Sequence, residues 1–292
     1  MIIFIAGGRL GNQIFQYAFI NSIRKRGEKV FVSGFEELKD IFELDELIII
    51  SRKKRYFRGI IFRIFYPILD ILVSIRIITK IEVIYDNPTG HEESSPKRES
   101  TTYSVKLGIL KTIRFIKQGY FQSEYFFHRS AIEKLIIKSK YLNEAQKFFY
   151  DIPLDTYNIF VHIRRGDYHN LKIFGNGTLL PISYYKNCID YFIKNTSNSF
   201  FIFLSDDPEF VEMEFAWLKN KKLSVNNPPG IDFAIITKCK SGVLSTSSFG
   251  WWAAYLIKEK GTIFAPKYWL GFNSKIEFPK GGFPSFAKDV EI

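Results

Sequence analysis

Residues 158–168 read NIFVHIRRGDY, in which Ile159, Phe160, Val161 and Ile163 precede two arginines, a glycine and an aspartate. The apolar part has the length and composition of a buried strand, so the charged part begins where that strand stops. In open parallel sheets the carboxyl ends of the strands face the crevice that receives ligands. Arg164 and Arg165 at such a place can present planar, permanently charged donor forks to a phosphate group. Gly166 permits close backbone approach, and Asp167 can orient an arginine or a ligand hydroxyl. A solvated strand end carrying an Arg–Asp pair is the competing reading of this stretch taken alone. The tripeptide Arg165-Gly166-Asp167 also spells an adhesion signal, which belongs on an exposed loop tip rather than against an apolar strand.

Three further stretches carry groups of the same kind. Residues 2–26 give an apolar run, a turn with Gly7, Gly8 and Gly11, and then Ile14, Phe15, Ala18, Phe19 and Ile23 at helical spacing. The N–H groups opening that helix favour negative charge, although the glycine spacing is neither a dinucleotide fingerprint nor a P-loop. The amides of Asn12 and Gln13 suit sugar hydroxyls, while Asn12 can equally cap the helix and the glycines can equally serve a tight turn. In 230–257 a helix with Asp232 at its start leads through a short strand to the hydroxyl-rich turn 245–248 and a helix containing Trp251 and Trp252. Hydroxyls and N–H groups at a helix start make an anion site or, more simply, a cap. The strand FFIFLS runs into Ser205, Asp206, Asp207, Pro208 and Glu209. This pattern reads as a capped helix start with Glu209 completing a capping box, in preference to a divalent metal site.

The elements that must position these groups are strands alternating with helices, as in 30–35, 183–194, 199–204 and 208–218. The expectation is an α/β chain with two parallel-sheet domains, 1–155 and 156–292, with the tail open to a return toward the first. Residues 86–104 are rich in breakers and read as a loop, 129–149 as one helix, and GYFQSEYF at 119–126 as either a sugar-lining or a packed aromatic motif. Residues 52–80 join a basic cluster to a long apolar run. Arg63, Asp70, Arg76 and Pro67 argue against a membrane span, leaving two packed helices meeting near Pro67 as the favoured reading and a membrane-surface helix as the alternative. With 41 basic against 30 acidic residues the net charge is +11, which favours anionic partners. Cys188 and Cys239 have no paired spacing, so neither a disulfide framework nor a zinc site is expected. A start directly in strand sequence predicts a cytosolic protein, with peripheral contact at the inner face of a membrane through 52–80 left open.

GGRLGNQIFQYA at 7–18, GYFQSEYF, HIRRGDY at 162–168, FLSDD at 203–207, STSSFGWWAAYL at 245–256 and APKYW at 265–269 together resemble bacterial alpha-1,2-fucosyltransferases. The resemblance covers essentially the whole chain in the family's order. It implies a GT-B architecture of two Rossmann-like domains facing a cleft, and inverting transfer of L-fucose from GDP-fucose to the 2-hydroxyl of a galactose or similar residue of a surface or lipid-linked glycan such as O-antigen or capsule, with no metal and no other cofactor. It further implies that Arg164 and Arg165 bind the diphosphate, that Ser247, Ser248 and Phe249 bind phosphate or ribose, and that His162, Asp206 and Asp232 serve the guanosine end. Gly8 and Asn12 would approach the fucose, and Asp167 is the candidate base. Thr246 and Gly250 stand where the family usually has Asn and Ser, which leaves another GDP-hexose as the alternative donor. A nucleic-acid binder is the alternative from a different class, motivated by the charge, although the basic residues outside 52–58 are scattered.

Overall fold

The computed structural model describes residues 1–44, 47–50, 61–86 and 97–292. The chain divides into two compact units, the first built from Met1–Asp86 with Glu99–Ile136 and the second from Ile137–Ile292.

In the first unit an apolar four-residue strand, β1 (Ile2–Ile5), feeds helix α1 (Leu10–Ile23). Then follow β2 (Val30–Ser33), α2 (Glu36–Ile41), β3 (Leu47–Ile50), α3 (Tyr66–Ser74), β4 (Ile78–Tyr85), β5 (Glu99–Lys106) and β6 (Leu110–Ile116). The sheet order is β3-β2-β1-β6-β4-β5, parallel except for the antiparallel edge pair β4–β5. Helix α1 is buried along most of its length, including Gln13 and Gln16, as expected of a helix apolar nearly all round.

The second unit starts with α4 (Ser139–Phe148) and β7 (Tyr157–Ile163), followed by a small hairpin of β8 (Lys172–Ile173) and β9 (Asn176–Gly177). It continues through α5 (Ile182–Asn195), β10 (Ser199–Ser205), α6 (Pro208–Glu214), β11 (Lys221–Ser224), α7 (Pro229–Lys238), β12 (Ser241–Val243), α8 (Ser248–Tyr255), β13 (Ile263–Pro266) and β14 (Lys288–Val290). The order β11-β10-β7-β12-β13-β14 is parallel throughout and puts β7 between β10 and β12. Ile159, Phe160, Val161 and Ile163 are almost wholly buried, each contributing about 1.5–3 kcal/mol of apolar burial. At Gly242 any Cβ would sit 2.2 Å from the Phe160 ring, so β12 approaches β7 only with glycine there.

Several expectations change. The units divide at Ile136/Ile137 rather than at 155/156, because α4 packs on α7: the Tyr141 ring lies over Gly230, and Lys238 bonds Gln146 at 2.8 Å. The tail stays with the second unit, since β14 pairs with β13. The helix expected over 129–149 is a short 3-10 turn, Arg129–Ile132, followed by α4. Of the loop expected over 86–104, residues from Glu99 onward form β5, and 87–96 lie outside the described residues, as does the basic cluster 52–58. Of the helix pair expected to meet near Pro67, the described residues show a π-helical turn, Ile61–Phe65, running into α3, none of whose residues is buried; residues 52–60 lie outside the described residues.

Glu28 ties the turn after α1 to β6. Its carboxylate receives the Arg114 guanidinium, with Nε at 3.0 Å, and the Lys25 N–H at 3.0 Å, while Arg114 also reaches the Ile23 carbonyl. Burial pushes the acid upward, but these bonds outweigh it and hold the pKa at about 2. A depressed carboxylate stabilises the fold above its unfolded value of 4.5 and loses that contribution as pH falls toward 2. Glu28→Gln is therefore expected to cost about 2 kcal/mol at pH 7 after allowance for screening, and the gap in urea stability between the two proteins should close as pH falls through 4 to 2.

Candidate active site

Chemistry-bearing side chains collect at the carboxyl ends of β7 and β10. The parallel register pairs Ile163 with Ser205, so the residues after each strand emerge side by side. Asp206 accepts the backbone N–H groups of Arg165 (2.9 Å) and Gly166 (3.1 Å) and receives Arg164 Nη1 at 3.0 Å. Arg164 also donates from Nε and Nη2 to Asp167 Oδ1, at 2.9 and 2.6 Å. Arg165 donates from Nε to Asp207 Oδ2 at 2.9 Å, and its guanidinium lies 3.5 Å over the Phe210 ring, a cation–π contact. Each arginine thus has its own carboxylate, which offsets the repulsion of two adjacent cations. The terminal nitrogens of Arg165 make no hydrogen bond among the described residues, so a planar pair of donors remains for a ligand.

Asp206, expected at the guanosine end, has both oxygens engaged in shaping the arginine turn. Gly166 is required beside it, because a Cβ there would lie 2.7 Å from Asp206 Oδ2. Asp207 caps α6 by accepting the Phe210 N–H at 3.2 Å, with Pro208 in the first turn, as the cap reading expects. The capping box does not form. Glu209 falls one position short, and Ser205 Oγ accepts the Asp207 N–H instead. Although burial pushes Asp207 upward, Arg165 and the Phe210 N–H hold it below the usual carboxylate range. Asp167 orients Arg164 through Oδ1 alone and has a side chain 70% exposed.

His162, two residues before the first arginine, is buried and shares a 2.7 Å hydrogen bond between Nδ1 and Ser245 Oγ. Its ring stacks on Phe249 at 5.7 Å and 25°. Gly250 makes room for it, since a Cβ at 250 would meet Nδ1 at 2.9 Å. Ser247 caps α8 by accepting the Phe249 N–H, and Tyr168, half-buried, donates its hydroxyl to the Thr246 carbonyl at 2.9 Å. The turn at 245–248 is therefore locked to the segment that follows β7. Asp232 lies at the edge of this group, in the first turn of α7. It accepts Ser224 Oγ at 2.5 Å at the end of β11 and is linked to the turn through its neighbour Phe233, which packs edge-on against Phe249. Burial raises Asp232 to about 6 against the opposing hydrogen bond from Ser224.

The glycine turn belongs to the first unit. Gly8 is left-handed at φ +74°, and a Cβ there would strike the Asn12 amide at 2.3 Å. Asn12 is not the cap of α1; Arg9 holds that position without a side-chain bond, and Glu37 of α2 accepts the Leu10 N–H at 2.8 Å. A carboxylate already occupies the helix start, which makes it a poor place for a second anion. Gln13 is structural, bonded to the Gly8 carbonyl and the Leu38 N–H. Asn12 instead accepts Gln122 Nε2 at 2.5 Å, which brings the GYFQ motif to the glycine turn. Gln16 reinforces the junction by donating to the Gly119 carbonyl at 3.0 Å.

Sequence reasoning missed the residue that fixes this junction. Glu99, buried at the start of β5, accepts the N–H groups of Tyr120 (2.7 Å) and Phe121 (2.8 Å), and burial raises its pKa against those bonds. Its position in a polar stretch gave no signal, because only strand pairing carries it under the motif. Tyr168 was equally unmarked beyond its place in HIRRGDY.

Two Rossmann-like parallel-sheet units, one carrying an arginine pair at its central strand end, define a GT-B glycosyltransferase. The glycosyl transferase family 11 profile matches residues 1–277, and the chain belongs to that family. An alpha-1,2-colitosyltransferase of Escherichia coli is 30% identical over 290 residues, covering 91% of each chain. A galactoside alpha-(1,2)-fucosyltransferase 2 of Pongo pygmaeus is 26% identical over 164 residues, 52% of this chain and 48% of that one, so this match spans about half of the relative. A family 9 glycosyl transferase of Veillonella parvula shares the fold, with TM-score 0.55 and 13% identity over all of this chain and 86% of that one.

His162 is enclosed, and both burial and the nearby Arg164 charge lower its pKa to about 4. Its imidazole should remain neutral throughout physiological pH, so NMR of its ring protons should show no titration between pH 8 and 5.

Proposed function

We propose that this glycosyltransferase moves L-fucose, or a close deoxy analogue, from its GDP-activated form to the 2-hydroxyl of a galactose or similar residue in a surface glycan such as O-antigen or capsule. Transfer inverts the anomeric centre and uses no metal. The arginine pair at the end of β7 carries the reading. Negative charge grows on the departing diphosphate, and two guanidiniums held in place by carboxylates stabilise it without reorganising, the role a cation plays in metal-dependent transferases. Asp206 and Asp207 are engaged by the arginines and by backbone amides, which leaves them poorly disposed as metal ligands.

Around that centre, Ser247, Ser248 and the α8 start receive phosphate or ribose, with Phe249 and the neutral His162 shaping the wall. Asp232 offers a carboxylate to the paired N–H donors of guanine. On the first unit, Asn12 with Gln122 of the GYFQ motif beside the Gly8 turn offers amides suited to sugar hydroxyls. Asp167 is the candidate base, because Oδ2 makes no hydrogen bond among the described residues and the side chain is largely exposed. The donor has a second reading with its own support: the relative matched along 91% of both chains is named for colitose, which is L-fucose without the 3-hydroxyl.

The test is GDP release from GDP-fucose and from GDP-colitose with lactose as acceptor, with and without EDTA, followed by NMR of the product. The expected product is alpha-1,2-linked and its rate survives EDTA; loss of turnover in EDTA with recovery on adding magnesium would sink the metal-free mechanism. Arg164→Ala and Arg165→Ala should each lower kcat by about 100- to 1,000-fold. Protonation of Asp232 removes its acceptor, so KM for the nucleotide sugar should rise as pH falls through about 6, and Asp232→Asn should flatten that rise.

A further inference from the structure

Helix α3 lies on its sheet through one shallow face. Tyr66, Leu69 and Val73 are half-buried, with the Tyr66 ring edge-on to Phe115 at 5.8 Å. At 100° per residue, Phe65, Ile68, Ile71 and Ile75 share a different face, and they are 56, 48, 58 and 58% exposed. Asp70, the one acid of the helix, points away from that stripe. Single exposed apolar residues need no explanation, but a contiguous row of large ones marks an interaction surface.

The stripe continues beyond the helix. The N–H groups of Ile109 and Leu110 donate to the carbonyls of Arg76 and Ile77, each at 2.8 Å, which seats the turn before β6 beside the end of α3. In that turn Leu107 is 62% and Ile109 80% exposed. Cations border the apolar row: Arg76 and Lys111 are exposed, and Lys106 is exposed 3.9 Å from Glu82, which is itself paired with Lys80 at 2.5 Å.

We propose that this face docks on a lipid bilayer rich in acidic headgroups, with α3 lying in the interface plane. Charge complementarity selects that occupant. An apolar row edged by Arg76, Lys106 and Lys111 matches an acyl boundary edged by anionic headgroups. A second copy of this chain, meeting it across a two-fold axis, would instead set like charges together. No helix among the described residues is long and apolar enough to cross a membrane, so the contact rests on the surface. The inference stands independently of the sugar chemistry.

Co-sedimentation of the full chain with vesicles of phosphatidylcholine alone, or with about 30 mol% phosphatidylglycerol, tests it, with light scattering to record oligomeric state. Binding to the acidic vesicles is expected, weakening as salt rises. Ile68→Glu with Ile71→Glu should reduce binding about 10-fold or more. Lys106→Glu with Lys111→Glu should abolish the preference for acidic vesicles. Both pairs should keep the parent's melting temperature, since the altered side chains are exposed. Absence of vesicle binding, equal salt-independent binding to both vesicles, or a dimer that Ile68→Glu with Ile71→Glu dissolves would each overturn the proposal, the last by giving the face to a second copy.

Discussion

The contact between Asp206 and the turn Arg164-Arg165-Gly166 underlies the organisation of the second unit's site. Two adjacent guanidiniums at the end of an apolar strand repel one another and would splay into solvent if left alone. One carboxylate from the neighbouring strand accepts two successive backbone N–H groups and a guanidinium nitrogen, fixing the backbone before any ligand arrives. The geometry depends on the unbroken parallel register of β7 with β10, and on glycine at 166, where any side chain would meet the carboxylate. Asp207 then serves two masters, capping α6 and holding Arg165, so the helix start and the arginine position are one arrangement.

The two helix starts that look equivalent in sequence are electrostatically different. At α8 the cap is a neutral hydroxyl, Ser247, and the surrounding turn is pinned by the phenol of Tyr168 and by His162, which burial keeps neutral. At α1 the first N–H is met by Glu37, which already neutralises the positive end of the helix. An anion is therefore better served in the second unit, and neutral amides, Asn12 with Gln122, in the first.

Buried carboxylates do much of the positioning in both units. Glu99 holds the GYFQ segment through backbone N–H groups, and Asp232 is held by Ser224 at the edge of the second sheet. Such groups are costly to bury and persist only with their partners in place. Each therefore reports a backbone path that the fold has fixed precisely where a turn approaches the ligand side of a sheet.

The sequence by itself determined the α/β class and the parallel strands, because apolar runs such as 159–161 and 200–204 leave little alternative to buried strands. It also marked the Asp207 cap and the paired arginines, whose chemistry is written in adjacent residues. Tertiary structure alone decided which carboxylate serves which arginine, that Asp206 shapes the turn, that Asn12 meets Gln122 rather than capping α1, and that Glu99 lies beneath the GYFQ motif. It also decided that α4 packs with the second unit and that α3 keeps its isoleucines outside. The physical reason is range: periodicity and capping are set by neighbours a few residues away, whereas these contacts join residues 21 to 110 positions apart, and only the tertiary fold brings them within bonding distance.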